Sequence, residues 1–138
     1  MLHKTLESVA SSVINKSCEV FIVDNGSTDE TAELCRGLFL KHPRIDWHYI
    51  YDAMPGLLTG RHRGAQEASG DVLCFLDDDV ILSSSWWDGV QDSFSDKKIV
   101  LAGGPSVPEF AVDPPNWLSE LWDESEGGGA PMPLFKFN

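Results

Sequence analysis

Three consecutive carboxylates, Asp77, Asp78 and Asp79, directly follow the apolar run "VLCFL". Carboxylates this close repel one another, so keeping them ionised requires water, hydrogen bonds or a cation. Hard oxygen ligands of this kind suit Mg²⁺ or Mn²⁺, which keep part of their coordination for waters and substrate phosphates. The triplet therefore predicts a divalent-metal site, with a solvated turn at the end of a strand as the simpler interpretation.

A second polar pair, Asp24 and Asn25, follows another apolar run, "EVFIV". In open α/β sheets, ligands bind beyond the carboxyl ends of the strands. Two polar clusters at that edge of one sheet predict a single pocket. The alternative is that Asp24 and Asn25 only shape the turn before the next helix.

Two alternating periods in the apolar residues predict the elements that position these clusters. Leu2, Leu6, Val9 and Val13 recur at spacings of four, three and four, which predicts a helix with one apolar face. Ser27, with Glu30 three residues on, predicts a capping box at the start of a second helix. Short, continuously apolar runs are typical of strands covered on both faces. Four strands are predicted, at 19–23, 46–51, 71–76 and 99–104.

Helices are also predicted at 56–69 and 83–94, between these strands. Helices that alternate with buried strands predict an α/β fold of three layers, a mostly parallel sheet flanked by helices with right-handed crossovers. We assign this domain to residues 1–104. The Pro- and Gly-rich residues 105–138 are predicted to form a loop or tail. The large apolar residues of this tail are predicted to pack on the domain or on a partner, and they are Trp117, Leu118, Leu121 and Trp122.

The charge and composition exclude several classes of function. Ten Lys and Arg stand against 22 Asp and Glu in 138 residues, a formal charge of −12, which disfavours general binding to nucleic acid or anionic membrane. The chain has no apolar run of about 18 residues and no signal-peptide pattern at its start. A cytoplasmic location is therefore expected, with peripheral membrane association left open. The three cysteines show no CxxC spacing, which predicts buried free thiols.

The segments "EVFIVDNGSTDETAEL" and "GLLTGRHRGAQEASGDVLCFLDDDV", in this order, resemble the nucleotide-sugar glycosyltransferases of family 2. The resemblance extends over residues 2–104. It implies a GT-A type fold and transfer of a sugar from a nucleoside diphosphate donor to an acceptor hydroxyl. It also implies a saccharide or lipid-linked saccharide as acceptor. A UDP or dTDP donor is expected more than GDP, because an Asn carboxamide can accept from the N3–H of uracil or thymine.

The same resemblance implies roles for individual residues. Asp24 and Asn25 match the positions that recognise the base of the donor, although the family often has Asp at the second position, so the base stays open. Arg61, in "GRHRG", matches a basic residue near the nucleotide and its phosphates. A fixed guanidinium suits phosphate oxygens.

The acidic triplet matches the DxD motif of that family. Asp77 and Asp79 match its outer members, which hold the Mn²⁺ or Mg²⁺ ion that bridges the donor diphosphate. Asp78 matches the middle position, which reaches the donor ribose. Such a cation neutralises charge on the leaving nucleoside diphosphate.

Two family features have no counterpart in the sequence, so an incomplete fold is expected. Members of the family begin with a central apolar strand, whereas this chain begins with the helix that follows it. They also carry a downstream acidic residue that deprotonates the acceptor, and none of the acidic residues after Gly104 lies in a matching motif, so the catalytic base stays unknown. Loss of a central strand leaves open strand edges, which predicts self-association or recruitment of another strand.

Two alternative functions stay open on the sequence. The first is a truncated, non-catalytic domain that binds nucleotide without transferring sugar. The second is a phosphatase of the haloacid-dehalogenase type, in which Asp77 is the nucleophile and Asp79 the general acid. Those enzymes usually carry the motif on their first strand and need a later acidic pair for Mg²⁺, and no suitable pair follows Ile99.

Overall fold

The computed structural model describes residues 1–110, 112–113 and 115. The chain divides into two compact units, Met1–Ser95 and Asp96–Asn138. The helices and strands of the described residues all lie in the first unit. They are α1 (Leu2–Val13), β1 (Glu19–Asp24), α2 (Thr31–Lys41), β2 (Asp46–Tyr51), α3 (Leu57–Glu67) and α4 (Trp86–Ser93). The prediction for Trp117, Leu118, Leu121 and Trp122 lies outside the described residues, and the boundary after Gly104 stays a prediction.

Strands β1 and β2 form a parallel pair, which confirms the predicted α/β class. Glu19 lies opposite Asp46, and the register continues to Asp24 opposite Tyr51. Parallel neighbours need a crossover connection, and α2 supplies it. The carboxyl ends of both strands therefore meet at one edge of the sheet.

Helix α1 buries the apolar face that its spacing predicts. Val9, Ala10 and Val13 pack in one cluster with Ile45, and Leu6 packs in a second cluster with Cys35 and Leu38 of α2. Complete burial of one such aliphatic side chain stabilises a fold by about 1.5–3 kcal/mol. The two clusters fix α1 and α2 against the sheet.

Helix α3 lies close to β1 because two of its residues are glycines. A Cβ atom on Gly64 would lie 3.3 Å from Cγ2 of Val23, and one on Gly60 would lie 3.8 Å from Cγ1 of the same residue. Glycine weakens a helix interior, but here it permits the close approach. Beyond the helix, the Glu19 carboxylate accepts hydrogen bonds from Ser69, one of them from its N–H at 2.9 Å.

The predicted strands at 71–76 and 99–104 are wrong, since neither segment forms a strand in the structure. An apolar run becomes a strand only where a neighbouring backbone offers hydrogen bonds. Within the described residues, β1 pairs with β2 alone, so residues 71–76 find no ladder there. Their apolar side chains are instead partly exposed, with Phe75 at 52%. In the second unit, Val100 and Leu101 are also exposed.

Two local predictions also need correction. The Ser27–Glu30 capping box does not form, because the Ser27 N–H donates to Oδ1 of Asp24 at 2.7 Å. The helix begins later, at Thr31, whose N–H donates to Oδ1 of Asp29 at 3.0 Å. All three cysteines are free, but only Cys35 is fully buried; Cys18 is half-buried and Cys74 exposed. Cys74 is exposed because its segment does not join the sheet.

No helix in the described part of the chain is long and apolar enough to cross a membrane.

Candidate functional site

Asp24 is a buried carboxylate at the carboxyl end of β1, with 5% of its surface exposed. Its Oδ1 accepts the Ser27 N–H, and its Oδ2 accepts the phenol of Tyr49 on β2. Burial acts to raise the pKa of Asp24, but the hydrogen bonds from Tyr49, Ser27 and Gly26 outweigh it and hold the pKa below its ordinary value. Burial and the bond to Asp24 together raise the pKa of Tyr49 to about 12. Near neutral pH, Asp24 is therefore ionised and Tyr49 protonated.

Asn25, the next residue, uses its whole side chain to hold the segment 52–56, which we call the β2–α3 loop. Its Nδ2 donates to the carbonyl of Asp52 at 3.2 Å and to that of Met54. Its Oδ1 accepts the Gly56 N–H at 2.7 Å. The backbone adds a further bond, from the Asp52 N–H to the Asp24 carbonyl at 2.8 Å. The two predicted base-recognition residues thus lie together at the end of β1, against this loop.

Glycine is required at one position on each side of this contact. Gly26 has φ of 87° and Gly56 has φ of 131°, both in the region that L side chains rarely adopt. A Cβ atom on Gly26 would lie 3.9 Å from Cα of Ala53, so the turn after β1 passes close to the β2–α3 loop. The sequence therefore specifies both backbones at this edge.

Arg61 and Asp77, two further predicted site residues, form an ion pair. The Arg61 guanidinium on α3 lies 2.8 Å from Oδ1 of Asp77, and it is 5.9 Å from the centre of the Phe75 ring. The two side chains are 38% and 57% exposed. Exposed ion pairs contribute about 0–1 kcal/mol, so Arg61 can exchange this carboxylate for a phosphate at little cost.

Helix α1 positions the acidic triplet through two hydroxyl groups. Thr5 Oγ1 donates to the carbonyl of Asp78 at 2.8 Å. Ser8 Oγ accepts the Leu82 N–H at 3.1 Å. Thr5, Ser8 and Tyr49 are not among the site residues that the sequence predicts. A signal existed for Thr5, because a polar residue beside Leu6 on a buried helix face must find a hydrogen-bond partner.

The chemistry of the acidic triplet fits a divalent cation only together with a phosphate ligand. All three side chains are exposed and supply hard oxygen donors. In the residues that the structure describes, no three His, Cys, Asp or Glu side chains converge as a ready-made metal cage. Mg²⁺ is usually bound through one or two carboxylates plus substrate phosphates. Asp77 and Asp79 fit that chemistry.

The structure groups the predicted residues into two clusters joined by α3. Asp24 and Asn25 hold the β2–α3 loop, which leads into the first turn of that helix. Arg61 projects from the next turn and pairs with Asp77. Asp78 follows Asp77 in sequence, and the Thr5 hydroxyl on α1 holds its carbonyl. Among the described residues, no hydrogen bond or ion pair joins the Asp79 side chain to the other predicted site residues.

Comparisons with known proteins show which family the chain resembles. The family model described as Glycosyl transferase family 2 matches residues 1–135. The chain is 33% identical over 104 residues to glycosyltransferase AglE of Haloferax volcanii, covering 75% of this chain and 34% of that protein. It is 24% identical over 119 residues to the succinoglycan biosynthesis protein ExoM of Rhizobium meliloti, covering 85% and 38%.

A third relative acts on a lipid-linked saccharide, according to its name. It is the GalNAc(5)-diNAcBac-PP-undecaprenol beta-1,3-glucosyltransferase of Campylobacter jejuni, 29% identical over 84 residues, which cover 61% of this chain and 27% of that protein. The chain thus spans about a third of the length of these curated relatives. No solved structure matches the chain. The family match and the relatives together show that the chain belongs to glycosyl transferase family 2.

Proposed function

We propose that this chain binds the nucleoside diphosphate donor of a reaction that transfers a sugar to an acceptor hydroxyl. Membership of the family supports sugar transfer in general. The observation that carries the proposal is the ion pair of Arg61 with Asp77, at 2.8 Å. This pair holds the Arg61 guanidinium, which suits phosphate oxygens, against the Asp77 carboxylate, which suits a divalent metal.

Each predicted residue has a defined task in this proposal. Asp24 and Asn25 serve the base of the donor at the end of β1, and UDP or dTDP is preferred over GDP. Arg61 binds the phosphates, and Asp78 reaches the ribose. The buried, ionised Asp24 is a hydrogen-bond acceptor fixed by Tyr49, so it is organised before the nucleotide arrives.

Asp77 and Asp79 would hold Mn²⁺ or Mg²⁺. When bound, the ion neutralises charge on the leaving nucleoside diphosphate. Arg61 pairs with Oδ1 of Asp77, which leaves Oδ2 for the ion, and exchange of this exposed pair would make the guanidinium available to a phosphate oxygen. We assign no catalytic base.

The acceptor in this proposal is a saccharide or a lipid-linked saccharide, the second being the class named for the relative from Campylobacter jejuni. A cytoplasmic location, with peripheral association at a membrane where such acceptors reside, is part of the same proposal. The formal charge of −12 disfavours direct attraction to an anionic surface or to nucleic acid.

A non-catalytic nucleotide-binding domain is the second candidate function. Residues 71–76 lead into the acidic triplet but lie outside the sheet. The sheet therefore does not fix the triplet in place, and this favours nucleotide binding without efficient sugar transfer. A phosphatase of the haloacid-dehalogenase type lacks support, because the family match is to glycosyltransferases. Turnover separates the two candidates, since a positioned general base typically contributes about 10²–10⁴ in rate.

Isothermal titration tests the proposal directly. UDP, dTDP and GDP are titrated with Mn²⁺, with Mg²⁺ and with EDTA, and binding is expected only with a cation. The reason is charge, because Asp24 and residues 77–79 repel a diphosphate and Arg61 offsets little of it. Asp79→Ala should remove the cation-dependent affinity, whereas Asp92→Ala on α4 should not. Equal affinity with EDTA and Mn²⁺ would remove the metal assignment, and no binding of any nucleotide would overturn the function.

A further inference from the structure

We propose that Asn25 is a positioning residue, whose carboxamide latches the β2–α3 loop to the end of β1. It serves the nucleotide through the loop, and its own N–H groups do not contact the base. This inference rests on the proposed function and deepens it, because it assigns how the base subsite is built.

The hydrogen bonds of the Asn25 side chain carry the proposal. A carboxamide has two N–H donors, and both are used on loop carbonyls, those of Asp52 and Met54. The oxygen accepts the Gly56 N–H at 2.7 Å. The orientation is defined by the partners, because a flipped carboxamide would set its oxygen against two carbonyl oxygens. One acceptor lone pair of Oδ1 is all that remains for a ligand.

The latch acts on a loop that has few other restraints. Met54 donates its N–H to Oδ1 of Asp52 at 2.9 Å, a bond that lies within the loop itself. The Asp52 N–H is held by the Asp24 carbonyl. Among the hydrogen bonds of the described residues, those of the Asn25 side chain alone connect residues 53–56 to the end of β1.

The latched loop and the start of α3 carry exposed apolar side chains. Met54 is 66% exposed, and Leu57 and Leu58, at the start of α3, are 66% and 67% exposed. Planar bases are bound well by apolar side chains that cover their faces, with a few polar groups fixing orientation. We assign this surface, Met54 with Leu57 and Leu58, to the face of the donor base. Asp24 supplies the polar contact, and Asn25 acts through the loop.

Asparagine is required for the latch, and aspartate cannot replace it. A carboxylate at position 25 would face the carbonyl oxygens of Asp52 and Met54 without a hydrogen to donate. Both bonds would be lost and replaced by repulsion, while the size of the side chain would hardly change. Asn25→Asp therefore releases the loop without creating a cavity.

Amide hydrogen exchange of the full chain, measured by NMR, tests the latch. In Asn25→Asp, the carboxylate can still accept the Gly56 N–H, but the two bonds to the Asp52 and Met54 carbonyls are replaced by repulsion. The loop therefore opens more often, and the Gly56 N–H should exchange at least about tenfold faster. The matched control is Asn15→Asp, which adds the same charge at an exposed position after α1 that has φ of 62°. The control should leave Gly56 exchange unchanged. If Asn25→Asp does not fold, Asn25→Ala repeats the comparison without added charge.

Nucleotide titration with Mn²⁺ provides the readout that distinguishes positioning from direct contact. Asn25→Asp should lower the affinities for UDP and for GDP by the same factor, and the dependence of binding on the cation should stay intact. Unchanged Gly56 exchange, or loss of the discrimination between UDP and GDP with the loop still protected, would overturn the latch. If the unaltered chain binds no nucleotide, the proposed function fails, but Gly56 exchange still decides whether Asn25 holds the loop.

Discussion

Asp24 shows how one residue joins two strands at the candidate site. Its carboxylate accepts a bond from the turn after β1 and another from Tyr49 on β2. The position of Asp24 after an apolar run could be predicted from sequence, and so could its neighbour Asn25. Tyr49 could not, because its phenol reaches Asp24 across 25 positions of sequence, and that contact depends on the parallel register.

We expect Tyr49→Phe to destabilise the chain and to change its pH dependence. Removing the hydroxyl leaves Oδ2 of a buried carboxylate without its donor, which should lower the free energy of unfolding by about 1.5–3 kcal/mol near neutral pH. The lowered pKa of Asp24 gives stability above the ordinary carboxyl pKa that is lost as pH falls. In the variant this pKa rises, so acid unfolding begins at a higher pH.

The same variant should also differ from the unaltered chain at alkaline pH. Because the pKa of Tyr49 is raised to about 12, its contribution is complete below the ordinary tyrosine pKa and is lost as pH rises through about 12. Tyr49→Phe should lack this alkaline loss. Urea unfolding across pH measures both limbs, with Tyr51→Phe, 58% exposed, as the control. Identical acid and alkaline limbs in Tyr49→Phe and the unaltered chain would contradict the assignment.

Secondary-structure elements differ in how far the sequence predicts them. The face of α1 was predicted correctly because helical spacing is local and the same residues bury in the structure. Residues 71–76 were predicted as a strand and are not one, because a strand depends on a partner that its own sequence does not encode. The Ser27 cap failed for a similar reason, since Asp24 competes for the same N–H.

The close packing of α3 on β1 leads to a prediction for Gly64. In Gly64→Leu, the added side chain meets Val23 at once and must push the helix away, which should destabilise the chain by about 1–3 kcal/mol. Because α3 carries Arg61, nucleotide affinity should fall as well. Gly37→Leu on α2 is the matched control, since a Cβ atom there meets nothing within 4 Å. Urea unfolding and titration measure both effects, and equal stability of the two variants would contradict the packing.

At the scale of the whole molecule, negative charge and exposed apolar surface coexist. The formal charge is −12, while Leu73 and Phe75 are 45% and 52% exposed in a segment outside the sheet. Within the described residues, β1 is hydrogen-bonded on the β2 side alone. An open strand edge of this kind is a template for pairing with another chain.

We therefore expect the chain to self-associate in a concentration-dependent way. Leu73→Lys should weaken association, because it places a charge within an exposed apolar segment, the kind of surface that associates with a partner. The control is Leu40→Lys, which changes an apolar residue of α2 that is 82% exposed and lies outside that segment. Light scattering over a range of concentrations measures the mass. A monomer at every concentration would count against this expectation.

We expect one donor site at the carboxyl edge of the sheet to unite β1, α3 and the acidic triplet. Paramagnetic broadening by Mn²⁺ in the presence of a nucleoside diphosphate tests it most directly, because the effect falls steeply with distance from the ion. We predict that amide signals of residues 77–79 and 61 broaden most and those of 24–26 and 52–56 broaden less, while those at the far end of α1, residues 12–16, stay sharp. Broadening that is uniform over the chain, or centred away from residues 77–79, would contradict the account.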